Sequence, residues 1–337
     1  MLEDLTPIAQ WRDVDMATFR GEIVPRGAPA VLRGLAAAWP AVAAGRTPEG
    51  LAAYLKPFAS PGPVEVLAGP PAIKGHLFYR DDMSGLNFER SRRTLATVID
   101  ALLGCAGDAA PPAISLQSLP VPEALPGFEG DNRIDLLPAS VVPRLWLGNK
   151  VTVAPHIDLN DNIACVVAGR RRFVLFPPEQ LPNLYVGPFD FSPAGAPVSM
   201  VPLGPEPDLE RFPRYEKALA AAQTALLEPG DAIYIPYMWW HGVQSLEPVN
   251  MLVNYWWNEA RPAGSPFDVL MHALIVLKDL PPGQRAVWRE MFDHYIFEVH
   301  GEPMAHLAPE HRGALGGLDA DGARRMRAIL ALALSRP

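Results

Sequence analysis

Cysteine is nearly absent from this chain, with Cys105 and Cys165 the only two. Neither has a CxxC neighbour, which removes a cysteine zinc site and a disulfide framework from consideration. Cys165, inside the apolar run NIACVVAG, reads as a small buried hydrophobe. No uncharged apolar run is long enough to cross a bilayer. The opening MLEDLTPIAQWRD carries acids where a secretion signal would have an apolar stretch, so a cytoplasmic location away from membranes is expected. Basic charge is also scarce: 29 lysines and arginines against 37 acids leave a formal net charge of −8. That balance opposes the phosphate attraction on which nonspecific nucleic-acid binding rests. There is no G-x-S-x-G elbow for a serine nucleophile and no G-x-G-x-x-G turn for a dinucleotide. The scattered His272, His294, His300, His306 and His311 form no H-E-x-x-H site. No internal repeat is visible.

What the chain does have is apolar mass cut into short pieces. Hydrophobic residues make up 49% and charged residues 20%, enough for a sizeable core and too little charge for a disordered chain. Thirty-eight prolines and 27 glycines imply many short elements joined by turns. From about Ala113 the runs PAISLQSL, RLWLG, KVTVAPHIDL, NIACVVAG, RRFVLFPP, DAIYIP and MLVNYWW are apolar, β-branched or aromatic. They predict a mainly β fold, a double-stranded β-helix of jelly-roll type whose mouth holds a ligand. Helical additions are expected in TPEGLAAYLKPF and SRRTLATVIDALLG, where Leu95, Val98, Ile99 and Leu102 recur at helical spacing. A helical insertion is also expected in RFPRYEKALAAAQTAL, with Phe212, Tyr215, Leu219 and Ala222 as its core stripe.

Three regions follow: residues 1–110, a mixed α/β region packing on the barrel; 111–260, the β-rich core; and 261–337, a helical region. In the last, Ser265-Pro266-Phe267-Asp268 has the form of a helix start. Trp288, Met291, Phe292, Tyr295 and Ile296 make a broad apolar stripe that suits a homodimer contact or internal packing.

The chemistry-bearing signal is His156-Ile157-Asp158. On a strand, side chains at i and i+2 share a face, so imidazole and carboxylate can meet one ion. HxD alone is weak, since Asp158 could equally cap the turn Leu159–Asn162. A second signal lies far along the chain, where Gly230-Asp231-Ala232-Ile233-Tyr234-Ile235-Pro236 leads through Tyr237-Met238-Trp239-Trp240 to His241. Two histidines and one carboxylate form the facial triad of non-haem iron oxygenases, with coordination positions left open. The same donors also suit zinc, and His241 could instead be a packed histidine in its aromatic cluster. His76 falls outside this set.

The stretches RLWLGNKVTVAPHIDLNDNIACVVAGRRRFVLFPP and GDAIYIPYMWWHGVQSLEPVNMLVNYWW resemble the JmjC/cupin-like Fe(II)/2-oxoglutarate-dependent oxygenases, the asparaginyl hydroxylases of hypoxia-inducible factor above all. With weaker likeness in PAVLRGLAAAWPAV, the resemblance covers most of residues 20–258. It implies Fe(II) held by His156, Asp158 and His241, with 2-oxoglutarate and O2 as cosubstrates. It places Asn162, Asn254, Gln117 and the pocket-wall Trp256 around the cosubstrate. Arg171 stands where the family usually has a carboxylate-binding lysine, and an arginine fork can hold that carboxylate in two bonds. Two polar positions depart from the pattern. Val153 replaces a hydroxyl residue, leaving Thr152 one place earlier, and Ser115 replaces a tyrosine. Tyr237, Trp239 and Trp240 are candidates for substrate contact.

The expected activity is hydroxylation of a protein or peptide side chain with release of succinate and CO2. A small-molecule hydroxylase is the enzymatic alternative, and a non-catalytic ligand-sensing or interaction protein of the same fold is the other.

Overall fold

Alternation along three central strands decides the architecture. In the computed structural model, which describes residues 2–189, 191–204, 206–260, 264–317 and 319–334, fourteen strands are numbered in chain order and gather in two sheets. The smaller sheet runs β1 (Thr6–Pro7), β11 (Gln223–Leu227), β10 (Arg171–Phe176), β13 (Trp240–Ser245), β8 (Thr152–His156). The larger runs β2 (Ala9–Arg12), β3 (Ala30–Arg33), β12 (Ala232–Ile235), β9 (Asp161–Ala168), β14 (Asn250–Trp257), β7 (Pro143–Gly148), β6 (Ala113–Pro120), β4 (Pro63–Gly69), β5 (Glu89–Thr94).

Successive side chains on a strand point to opposite faces, and here both faces are covered. On β9, Ile163, Cys165 and Val167 join a core with the helices Pro48–Leu55 and Leu95–Cys105, while Ala164 and Val166 join a second core. β14 divides in the same way, Met251, Val253 and Tyr255 against Leu252. β10 sends Phe173 and Leu175 into that second core, and Val174 and Phe176 outward onto Phe212, Tyr215 and Ala218. The second core thus draws residues from both sheets. Full burial of each Leu, Ile, Val or Phe contributes about 1.5–3 kcal/mol, and two-sided burial explains why NIACVVA and MLVNYWW read as nearly unbroken apolar runs.

The fold is therefore mixed α/β, two extended sheets flanked by helices. This is more helical than the mainly β expectation, and no described strand belongs to both sheets. Local signals hold at several ends. The Thr94 hydroxyl accepts from Thr97 N–H at 3.3 Å and caps the helix Leu95–Cys105. The helix expected across RFPRYEKALAAAQTAL is shorter, Tyr215–Ala221. From Gln223 the chain pairs with both β10 and β1 as β11, and sheet pairing overrides the helical preference of its alanines and leucines.

The chain forms two compact units, Met1–Asn258 and Glu259–Pro337. Residues 1–110 supply β1 to the smaller sheet and β2–β5 to the larger. The expected boundary after residue 260 adjoins residues 261–263, which lie outside the described residues. The second unit holds the helices Pro266–Leu277, Pro282–Tyr295 and Ala320–Leu334, the first capped by the Ser265 hydroxyl, which accepts from Phe267 N–H. None of its described residues is buried. No helix among the described residues is long and apolar enough to cross a membrane.

Candidate metal centre

β8 and β13 run antiparallel with His156 directly opposite His241, and the rings lie 4.3 Å apart between centroids. Each ring is anchored through its own backbone. His156 Nδ1 sits 2.9 Å from Ala154 O, and His241 Nδ1 sits 3.0 Å from Trp239 O. A carbonyl can only accept, so both Nδ1 atoms carry a proton, and Nε2 is the atom each ring turns toward the site. Asp158 lies just past the end of β8, its Oδ2 3.4 Å from His241 Nε2. The Trp256 indole N–H donates to the same oxygen at 3.1 Å.

Burial and neighbours set the charges. Burial, assisted by the adjacent His241, pushes His156 down to about 4, which keeps the ring neutral. Burial opposes the Asp158 charge, but the hydrogen bond and charge of His241, with His156 and the Trp256 indole, outweigh it and hold the carboxyl below its ordinary range. His241 is displaced the opposite way: burial disfavours its proton, and Asp158 more than restores it. One ligand atom from each of the three residues lies within 4.8 Å of the others. Two imidazole nitrogens and one carboxylate oxygen, close and largely buried, fit a divalent metal and leave further coordination positions open.

These residues border a cavity of about 450 Å³, open mouth included. Its apolar lining is Val153, Ala164, Phe173, Ile235, Val243 and Leu252. Its polar groups beyond the triad are Arg171, Asn162, Asn254 and the indoles of Trp146 and Trp256. Alternation separates the three arginines after the Gly169 turn. Arg170 pairs with Glu247 and Arg172 with Glu3, each at 2.6 Å, while Arg171 is buried facing the cavity. Its Nε has no hydrogen-bond partner among the described residues, and burial lowers the guanidinium to about 10, still charged at neutral pH.

The two asparagines are oriented by an indole. Trp146 Nε1–H, a donor only, bonds Asn254 Oδ1 at 2.7 Å, and Asn254 Nδ2 then donates to Asn162 Oδ1 at 3.0 Å. With its oxygen committed, Asn162 keeps its NH2 group for the cavity. Apart from the triad, the polar groups of this lining are thus donors and one cation.

His156, Asp158, His241, Arg171, Asn162, Asn254 and Trp256 are brought together here. The remaining candidates lie elsewhere. Val153 rather than Thr152 lines the cavity, because the β8–β13 register shifts between His241 and Val243 and the extra residue puts Val153 on the face of His156. Ser115 is buried opposite Gly148, and Gln117 lies at the bulge of β6 between Leu116 and Leu119. Trp239 is buried with its indole N–H donating to Gly27 O, and Trp240 packs in the outer core of the smaller sheet. Tyr237 is exposed, its N–H directed at Asp161 Oδ1. Sequence reading missed Trp146. The alternation in PRLWLG, with Leu145 and Leu147 toward one core, was the signal that Arg144 and Trp146 face the other way.

Residues 16–262 match the profile of the cupin-like domain. Human HSPB1-associated protein 1 is 39% identical over 116 residues, 33% of this chain and 22% of that protein. Lysine-specific demethylase JMJ31 of Arabidopsis thaliana is 38% identical over 123 residues, 36% of this chain and 22% of that protein. Human bifunctional peptidase and (3S)-lysyl hydroxylase JMJD7 is 28% identical over 259 residues, 68% of this chain and 77% of that protein. The chain therefore spans only about a fifth of the length of the first two.

Proposed function

Because the chain belongs to the cupin-like domain family, is related to the Jumonji-C oxygenases and carries their two-histidine, one-carboxylate triad, we propose that it is an Fe(II)- and 2-oxoglutarate-dependent oxygenase that hydroxylates a protein or peptide side chain. The observation that carries this reading is the cavity's polarity. A buried guanidinium with no carboxylate partner among the described residues shares a largely apolar cavity with a metal site and an amide donor. An uncompensated buried cation costs several kcal/mol, and a dicarboxylate with a short methylene linker answers both ends of such a cavity.

Fe(II), when bound, supplies oxygen activation coupled to the oxidative decarboxylation of 2-oxoglutarate to succinate and CO2. The protein's part is positional. His156, Asp158 and His241 hold the ion, and Arg171 accepts the distal carboxylate as a fork. Asn162, its amide turned by Asn254 and Trp146, donates to the carboxylate nearer the metal. Phe173, Val243, Ile235 and Leu252 exclude water from the linker between them. In this arrangement Arg171 takes over from the hydroxyls that Val153 and Ser115 lack, and the two sheets serve as the faces of a double-stranded β-helix. The likeness to asparaginyl hydroxylases rests on the paired motifs. The relatives named above include a lysyl hydroxylase and a lysine-specific demethylase, which supports a protein side chain as the target. We assign the helices of Glu259–Pro337 to contact with a second copy of the chain, since their Trp288, Met291, Tyr295 and Ile296 stand exposed.

The test is anaerobic loading with Fe(II), followed by O2 and 2-oxoglutarate, with succinate read by NMR. Oxygen-dependent succinate formation that disappears in Asp158→Ala is the expected result. A chain that binds Fe(II) and 2-oxoglutarate yet forms no succinate, with or without peptides, would be the ligand-sensing protein instead.

A further inference from the structure

The three metal-binding side chains are not secured alike. Both imidazoles are fixed by a backbone carbonyl two residues earlier in the chain, so any side chain at positions 154 and 239 leaves those bonds in place. Asp158 stands beyond the end of β8, and its backbone carbonyl accepts a 3.3 Å bond from Met238 N–H, which leaves the carboxylate free to turn. Among the described residues, the one neutral donor that reaches the carboxylate is the Trp256 indole, 3.1 Å from Oδ2. This is also the oxygen that faces His241 Nε2. An indole N–H can only donate, so the contact requires an acceptor oxygen of Asp158 turned toward it, as this rotamer supplies.

The indole is itself held in place. The Arg144 guanidinium lies over the Trp256 ring, 5.4 Å from its centroid, and Trp146 meets it edge-on at 6.0 Å. Arg144 Nη1 in turn donates to Ser118 O at 2.7 Å and to Ser118 Oγ at 3.0 Å. Ser118 belongs to the β6 bulge and takes a left-handed backbone, φ 55°, a conformation uncommon for serine that needs external support. The bulge, the arginine, the indole and the carboxylate are therefore in contact one after another.

We propose that Trp256, braced by Arg144, is the positioning residue of the metal-binding carboxylate, fixing Asp158 in the rotamer that presents Oδ2 to the ion. The proposal rests on the reading of this centre as a metal site. Trp256 acts through Asp158 and takes no part in bond making.

Partners of this kind, one step removed from the metal, typically contribute 10–100-fold in metal affinity. Co(II) titration of the wild type and of Trp256→Phe, which keeps an aromatic body and deletes the donor, reads this directly from the visible bands of the bound ion. The expected result is a dissociation constant raised about tenfold or more, with displaced bands and melting of the metal-free protein lowered by no more than about 5 °C. Arg144→Gln should move the same readouts in the same direction by less, and the two changes together should be non-additive. Should Trp256→Phe fail to fold, ¹⁵N-tryptophan spectra of the wild type carry the test. The Trp256 indole N–H should be protected from exchange and shift on Zn(II) addition, whereas that of Trp39, bonded to Arg133 O, should stay in place.

Co(II) binding to Trp256→Phe within twofold of wild type with superimposable bands, or a Trp256 N–H that exchanges freely and ignores Zn(II), overturns the proposal alone. A wild type that binds no Co(II) overturns the metal site as well.

Discussion

Replacing Arg171 by methionine should make the empty protein more stable and the loaded protein worse, and the opposite signs make this a demanding test. Burial takes the guanidinium well below its ordinary range, to about 10, with no carboxylate among the described residues to offset it. At about 1.4 kcal/mol for each tenfold, keeping this charge inside costs the folded protein about 3 kcal/mol. The sign follows from linkage. A cation whose folded pKa is depressed destabilises the fold wherever it is charged, and the penalty fades only as pH rises through about 10. Methionine is of similar length, apolar and adaptable, so at pH 7.5 Arg171→Met should melt higher by about 5–10 °C for a unit of this size. That margin should narrow toward pH 11. Binding moves the other way. Losing one partner of a buried charge pair costs about 2–5 kcal/mol, so affinity for 2-oxoglutarate, measured calorimetrically with Mn(II) in the site, should fall roughly 30-fold or more. A variant that melts lower than wild type while binding 2-oxoglutarate equally well would refute the argument at both ends.

Three further outcomes are expected. Asp158→Ala should abolish stoichiometric Co(II) binding, because two imidazoles alone make a poor divalent site, and near-normal affinity by calorimetry would contradict the three-ligand centre. Trp146→Phe releases the asparagine pair from its fixed direction. One hydrogen bond is worth about 0.5–1.5 kcal/mol, so 2-oxoglutarate affinity should drop about threefold to tenfold with Co(II) affinity unchanged; parallel loss of both would show a general collapse of the cavity. Gly169→Ala should destabilise the chain by about 1–3 kcal/mol in chemical denaturation. Gly169 has φ 68°, and a Cβ there would fall 2.3 Å from Asn250 Oδ1; a neutral result would mean that the turn relaxes easily.

The parts of the site legible in the sequence were those written in local spacing. His156 and Asp158 announced themselves two residues apart, and the alternation Arg170, Arg171, Arg172 left room for one inward arginine, which the structure buries. The stripe of Leu95, Val98, Ile99 and Leu102 was equally local and lies in the core. What escaped depends on pairing between distant strands. Whether Thr152 or Val153 faces the cavity is settled by a bulge against β13, which no property of TVAPH alone discloses. The end of the helix at Ala221 is set by partners β1 and β10, more than forty residues away. The direction of the Asn254 and Asn162 amides follows from an indole on β7 that only folding brings near.

Two-sided burial of β14 has a consequence for how the protein comes to be correct. Sliding that strand by one residue would put Asn254 and Trp256 beneath the helices and thrust Val253 and Tyr255 into the cavity. The misaligned chain would still offer an apolar surface to each side, so greasiness by itself discriminates poorly between the two alignments. The amide and indole bonds to Asn162, Trp146 and Asp158 do discriminate, since each is lost on slippage. The same few polar contacts that ready the cavity for its guest would thus proofread the assembly of the sheet.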